Sequence, residues 1–148
     1  MLEMIERLTQ NGQLLAIIIR ADFREHGIHF FTEPDLSQQL GYMRHPAGKV
    51  IAPHVHNPVA REVHFTQEVL LIRRGSVRVD FYDDKQQYLE SRVLRAGDTI
   101  LLATGGHGFV ALEELEMIEV KQGPHAGESD KTRFSPIPES QLKIKDSA

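Results

Sequence analysis

Glu68-Val69-Leu70-Leu71-Ile72-Arg73-Arg74-Gly75-Ser76-Val77-Arg78-Val79-Asp80-Phe81-Tyr82 reads as two strands joined at a glycine. Residues 69–72 form an unbroken apolar run, the signature of a buried strand. Arg73, Arg74, Gly75 and Ser76 interrupt it. Val77, Val79 and Phe81 then alternate with Arg78, Asp80 and Tyr82, which is the period of a half-buried strand. Asp83-Asp84-Lys85 is a hairpin-like turn, and residues 88–94 return as a strand. Ala96-Gly97-Asp98 turns the chain again. Residues 99–102 form a strand, Gly105-Gly106 breaks it, residues 109–112 resume, and residues 115–121 are the last strong strand. Upstream, residues 13–20, 28–32 and 40–44 also read as strands, with Glu33-Pro34-Asp35 as a turn. Turn signals at such short intervals imply an all-β sandwich or barrel. Met1, Leu2, Met4, Ile5 and Leu8 lie on one side of a helical pattern that Asn11-Gly12 would end, so a short N-terminal helix is expected. Past Gln122-Gly123-Pro124 the chain turns polar and irregular. Residues 123–148 are expected to form a C-terminal arm in which Phe134, Ile137 and Leu142 can dock.

The length of 148 residues fits one domain. Seventeen Lys and Arg against twenty-one Asp and Glu give 17 − 21 = −4, which argues against a generally basic nucleic-acid binder. The absence of cysteine excludes disulfides, iron–sulfur clusters, thiolate zinc sites and thiol nucleophiles. Any metal must therefore be held by His, Asp or Glu. The longest apolar run near the start, residues 14–19, is far short of the ~20 residues of a spanning helix. The first seven residues lack a basic start followed by a long apolar stretch, so no secretory signal is read and a cytoplasmic, membrane-free protein is expected.

The placement of the eight histidines is the main chemical signal. Residues 48–56 put His54 and His56 two apart on an expected strand, so both imidazoles leave by the same face. Such a pair can offer two nitrogens to one ion. Glu68 opens an otherwise apolar strand, and a buried carboxylate costs several kcal/mol unless it is paired or metal-bound. A one-residue slip would turn Gln67 inward in its place, since side chains alternate. Further on, Gly97-Asp98 opens a strand that ends at Gly105-Gly106-His107, where the glycines let the backbone approach closely and re-aim the histidine. His26, His29, His45 and His125 have no partner at ligand spacing.

These residues resemble the cupin superfamily. Its first motif runs glycine, five residues, His-x-His, a gap, glutamate, six residues, glycine, and Gly48, His54, His56, Glu68 and Gly75 match it. The gap departs from the pattern: eleven residues, 57–67, stand where the family has a much shorter link. In the second motif Gly97-Asp98 and His107 match, but Ala103 replaces a proline, the histidine comes one residue early, and Ala111 replaces an asparagine. The resemblance covers about residues 38–122, preceded by residues 1–37 with the expected helix and leading strands. It implies a single jelly-roll-like β-barrel of two antiparallel sheets with a metal at its mouth. His54, His56, Glu68 and His107 would be the ligands of one divalent transition ion. Nitrogen-rich sites without sulfur suit Fe, Mn, Ni, Co, Cu or Zn.

Several residues are candidates for substrate contact. Tyr42 and Arg44 share a strand face just before the motif, and Arg44 would grip a carboxylate or phosphate if that face lines the barrel. Glu119 and Lys121 share one face of the last strand with Ile118 and Val120 opposite, and either face can point inward. His64 lies in the insertion, where a solvated lid position is expected. A mononuclear metal enzyme acting on a small organic molecule, by oxygenase-like or isomerase-like chemistry, is the leading functional expectation. The alternatives are a nucleotide-sugar isomerase or epimerase using His as acid–base without metal, and a non-enzymatic module that binds a small ligand or metal. Open strand edges need cover, so a homodimer is also expected.

Overall fold

The computed structural model describes residues 4–145. Its ten strands are β1 (Ile5–Gln10), β2 (Gln13–Ile19), β3 (Gly27–Phe30), β4 (Gly41–Arg44), β5 (Glu68–Arg74), β6 (Ser76–Tyr82), β7 (Tyr88–Arg95), β8 (Thr99–Leu102), β9 (Gly106–Ala111) and β10 (Glu116–Lys121). The all-β expectation holds, and most strand positions agree with the alternation and turn signals.

Over residues 5–10 the expected N-terminal helix is replaced by a strand. Met1 and Leu2 lie outside the described residues, but Ile5 and Leu8 sit on β1, paired antiparallel with β2 from Ile5↔Ile19 to Gln10↔Gln13. Asn11 (φ 51°) and Gly12 (φ 77°) both adopt the left-handed region. Two such residues in a two-residue loop make a type I′ turn, whose twist matches that of the flanking strands. Asn-Gly therefore closes a hairpin here and caps no helix. A bulge between Leu8 and Thr9 lets Leu15 and Ala16 of β2 both join the same core cluster.

The strands form a five-stranded sheet ordered β1-β2-β8-β5-β10, a three-stranded sheet ordered β7-β6-β9, and the β3-β4 hairpin. Among the described residues no sheet closes into a barrel. Leu8, Ala16, Ile18, Leu70, Ile72, Ile100 and Leu102 of the large sheet pack against Val77, Val79, Phe81 and Leu94 of the small one. Burying each such aliphatic or aromatic side chain contributes about 1.5–3 kcal/mol relative to exposure. The other face of the large sheet is covered too. Ile17, Ile19, Leu101 and Leu40 form a second cluster, with Phe23, Phe31, Leu36 and Val69 packed on it. This double burial explains the unbroken apolar run of β2, whereas β5 is buried on one face only and leaves Leu71 exposed on the other.

Strand β6 departs from the half-buried expectation, for all seven of its residues are buried. The C-terminal arm covers its polar face. Arg78 donates to Asp80 Oδ1 (2.8 Å) and to Glu139 Oε2 (3.0 Å), and Ser91 Oγ donates to Asp80 Oδ1. Arm backbone groups complete the dock: Ile137 N–H donates to the Tyr82 hydroxyl (3.0 Å), and Lys145 N–H to the Ser91 carbonyl (2.8 Å). Phe134 meets the Tyr82 ring edge-on at 4.9 Å. No helix among the described residues is long and apolar enough to cross a membrane.

Candidate functional site

Glu68 and His107 meet at one open end of the two-sheet stack. Glu68 shares its face of β5 with the core residues Leu70 and Ile72, so its carboxylate points between the sheets, and the residue is only 8% exposed. Gln67 takes the opposite face, as alternation requires. It is buried there, and its side-chain carbonyl accepts from Ser37 Oγ (3.1 Å) and Gln38 N–H (3.0 Å). From the small sheet, His107 stands directly opposite the core residue Phe81 and so faces inward as well. Its Nε2 lies 3.6 Å from Glu68 Oε2. Gly105 makes this possible. It turns the chain at φ +77°, and a Cβ there would lie 2.6 Å from the Tyr82 carbonyl oxygen.

Strand β10 adds two charges to the mouth. Lys121 is the register partner of Glu68, and Glu119 that of Leu70, so both face inward and Ile118 and Val120 face out. The face that was open in the sequence is thereby decided. The neighbouring His107 imidazole holds the Glu68 carboxyl below the usual glutamate range, although burial opposes this. Glu119 is pushed the other way, by burial first and then by the neighbouring Glu68 charge. A glutamate with a raised folded pKa destabilises the fold above that pKa and ceases to do so as pH falls below it. Glu119→Gln is therefore expected to raise the Tm slightly near neutral pH. The gain should be a few tenths of a kcal/mol at most, because Glu119 is solvent-exposed. It should vanish in melting curves taken below the ordinary glutamate pKa, where both side chains are neutral.

The other proposed ligands lie elsewhere. Residues 49–56 do not form the expected strand. His54 and His56 sit in an arm, residues 46–66, that is exposed throughout and contains no strand. Among the described residues the backbone of 50–66 pairs with no other backbone group. The physical reason is plain: an extended segment becomes a strand only through a partner's N–H and C=O groups. The His54 and His56 rings stay together, centroids 5.3 Å apart. His54 Nδ1 lies 2.8 Å from the Ala52 carbonyl oxygen. Donation to that carbonyl leaves the lone pair on Nε2, the usual preparation of an imidazole ligand. Among the described residues no three His, Asp or Glu side chains are close enough to hold one ion. The expected donor set is thus split, with Glu68 and His107 in the mouth and His54 and His56 on the arm.

The remaining candidates divide likewise. Lys121 is in the mouth. Tyr42 packs edge-on against Phe23 at 4.8 Å, Arg44 is exposed at the end of β4, and His64 is exposed on the arm with Glu62 at 3.6 Å. His45, at the root of the arm, has its Nε2 buried without a hydrogen-bond partner. Phe109 faces the mouth beside His107, with ring centroids 5.4 Å apart. Reading alternation back from His107 would have found it. Asp98, the aspartate of the second motif, is not at the mouth. Its Oδ1 accepts from Ala21 N–H, and its Oδ2 accepts from Arg95 N–H and Arg20 Nη1. It is a clamp on the turn before β8. A shallow polar cleft of about 280 Å³, lined in part by Gln10, Gln13, Asp83 and Lys85, lies at the β1-β2 and β6-β7 turns and shares no residue with the mouth.

The chain matches no family model, no curated protein and no solved structure.

Proposed function

We propose that this is a small cupin whose mouth binds a small oxygen-bearing organic molecule together with one divalent transition metal. The observation that carries the reading is the buried Glu68 carboxylate aimed at His107 between the sheets. A carboxylate in that position needs a cation, a protonated partner or a metal. Among the described residues of one chain only this half of the donor set is assembled. Glu68 orients the His107 ring. Lys121 supplies a positive charge for a substrate carboxylate or phosphate. Phe109 gives the ligand an apolar wall. A bound ion would act as a Lewis acid or an oxygen-activating centre.

The test is elemental analysis of protein purified without a His-tag, followed by calorimetric titration with cobalt(II). Tight uptake by the wild type is expected, with at least tenfold weaker binding by Glu68→Gln, an isosteric change that removes only the charge. Added metal should raise the Tm of the wild type and not of the variant, because an ion that binds only the folded state stabilises it. No uptake by the wild type would refute the metal.

The Glu68–His107 pair also favours a second reading, since it exists without the arm. A carboxylate-oriented imidazole is suited to proton transfer near neutral pH, as in a metal-free isomerase or epimerase of a nucleotide-linked sugar. Under that reading a panel of nucleotide sugars raises the Tm of metal-free protein, and His107→Ala abolishes turnover.

A further inference from the structure

We infer that the mouth is completed by a second copy of this chain, each copy laying residues 46–66 along the other's β9. The inference rests on the metal reading above and says where the missing half of the site comes from. Four independent observations meet in it.

The first is the split donor set itself. Two inward-facing groups, Glu68 and His107, lie in the mouth, and two imidazoles lie on an arm outside it.

The second is the open edge. In the sheet β7-β6-β9, β9 pairs with β6 alone among the described residues, so its other side offers unpaired backbone groups. A strand added there would bring alternate side chains onto the face that His107 occupies. His54 and His56, two residues apart, fit that requirement, whereas a pair at any odd spacing would not.

The third is apolar surface. The arm exposes Val50, Ile51, Val55, Val59, Val63 and Phe65, with Val55 85% exposed and Val50 77%. Phe109, Val110 and Leu112 are exposed on and just beyond the strand it would join. The arm has 66 − 45 = 21 residues. That is close to the about 20–30 residues per side of a standard protein interface.

The fourth is reach and charge. Eleven residues separate His56 from Glu68, which permits roughly 35 Å of extended chain. A link of that length reaches the mouth of a neighbouring copy as readily as its own. The mouth it would enter carries two inward-facing carboxylates, Glu68 on β5 and Glu119 on β10, beside which a cation can sit. A second copy is the one partner certain to carry this arm, and reciprocal exchange closes both mouths with two-fold symmetry.

Complementation tests the exchange. His54→Ala with His56→Ala in one chain, and Glu68→Gln in another, are expected to lose cobalt(II) binding as homodimers. The two chains, co-expressed with different non-His tags and isolated as the heterodimer, should regain half the metal per dimer that the wild type holds. Exchange puts the intact arm of one copy onto the intact mouth of the other. A heterodimer that binds none, while the wild type binds, means the arm folds back within its own chain. That result overturns the exchange and leaves the metal reading standing. A wild type that binds no metal removes the metal reading, and the exchange is then decided by mass. Light scattering at micromolar concentration should give two chains for the wild type and one for Val50→Asp combined with Val55→Asp, which puts a charge on each face of the added strand, with the far-UV spectrum unchanged. A monomeric wild type, or a dimer that survives those charges, overturns the exchange.

Discussion

Arg20→Met is expected to cost about 3–5 kcal/mol of stability, the usual effect of removing one partner from a buried ion pair. Arg20 follows β2 and is mostly enclosed, its side chain 13% exposed. It pairs with Glu6, whose side chain is 1% exposed, and donates to Asp98 Oδ2 (3.0 Å) and the Val93 carbonyl (2.8 Å). Burial alone would lower the Arg20 pKa, but Glu6 and Asp98 outweigh it and hold the guanidinium above its ordinary range. Methionine fills much of the same volume and supplies no charge, so Glu6 would be left with Arg92 as its only other cation among the described residues. For a domain of this size each kcal/mol is worth roughly 2–4 °C, so the Tm should fall by about 6–20 °C. The double variant Arg20→Met with Glu6→Gln should recover part of the loss, since it removes the stranded charge. Recovery of nothing would mean that Arg20 acts by packing and not by charge.

Gly75→Ala should be comparably damaging, although it adds only one methyl group. Gly75 sits between β5 and β6, where the chain crosses from the large sheet to the small one, at φ +81°. A Cβ built there lies 2.0 Å from the Glu114 carbonyl oxygen and 2.9 Å from its carbonyl carbon. The obstacle is backbone, which cannot swing aside as a side chain would. The left-handed conformation adds about 1–2 kcal/mol for a residue with a Cβ. With the forced shift of the 113–115 turn, a total loss of about 3–5 kcal/mol is expected in urea unfolding, within the range reserved for strain and overpacking. Gly108→Ala is the control. Gly108 has an ordinary φ, and nothing lies within 4 Å of its would-be Cβ, so a change below ~1 kcal/mol is expected. If the two variants melt together, the close approach at Gly75 is not what the position requires.

Gly75 illustrates how the motif residues divide. Gly75 and Asp98 serve the crossing and the turn, whereas Glu68 and His107 reach the mouth. Spacing along the chain marks all four alike, because the division between them depends on what each residue meets across the sheets.

Much of the fold is local enough to be read directly. The alternation of Val77, Val79 and Phe81, the apolar runs of β2 and β5, and the turns at 83–85 and 96–98 are all set by side-chain period and by residues that favour turns. The inward aim of Glu68 over Gln67 follows from the same period once Leu70 is taken as core. What the sequence determined by itself is therefore the strand content, the turns and the chemistry available: imidazole and carboxylate, with no thiol.

Tertiary structure decided the rest, each time because a segment distant in sequence supplied the missing surface. Ile5 and Leu8 fit a helical stripe as well as a strand, and only pairing with β2 selected the strand. Arg78 and Asp80 look solvent-facing until the C-terminal arm buries them. Ile118 and Val120 against Glu119 and Lys121 are two equivalent stripes until pairing with β5 turns the charged one inward. His54 and His56 have the spacing of a strand face but no strand beside them in their own chain, since strand structure depends on a partner that local sequence does not provide.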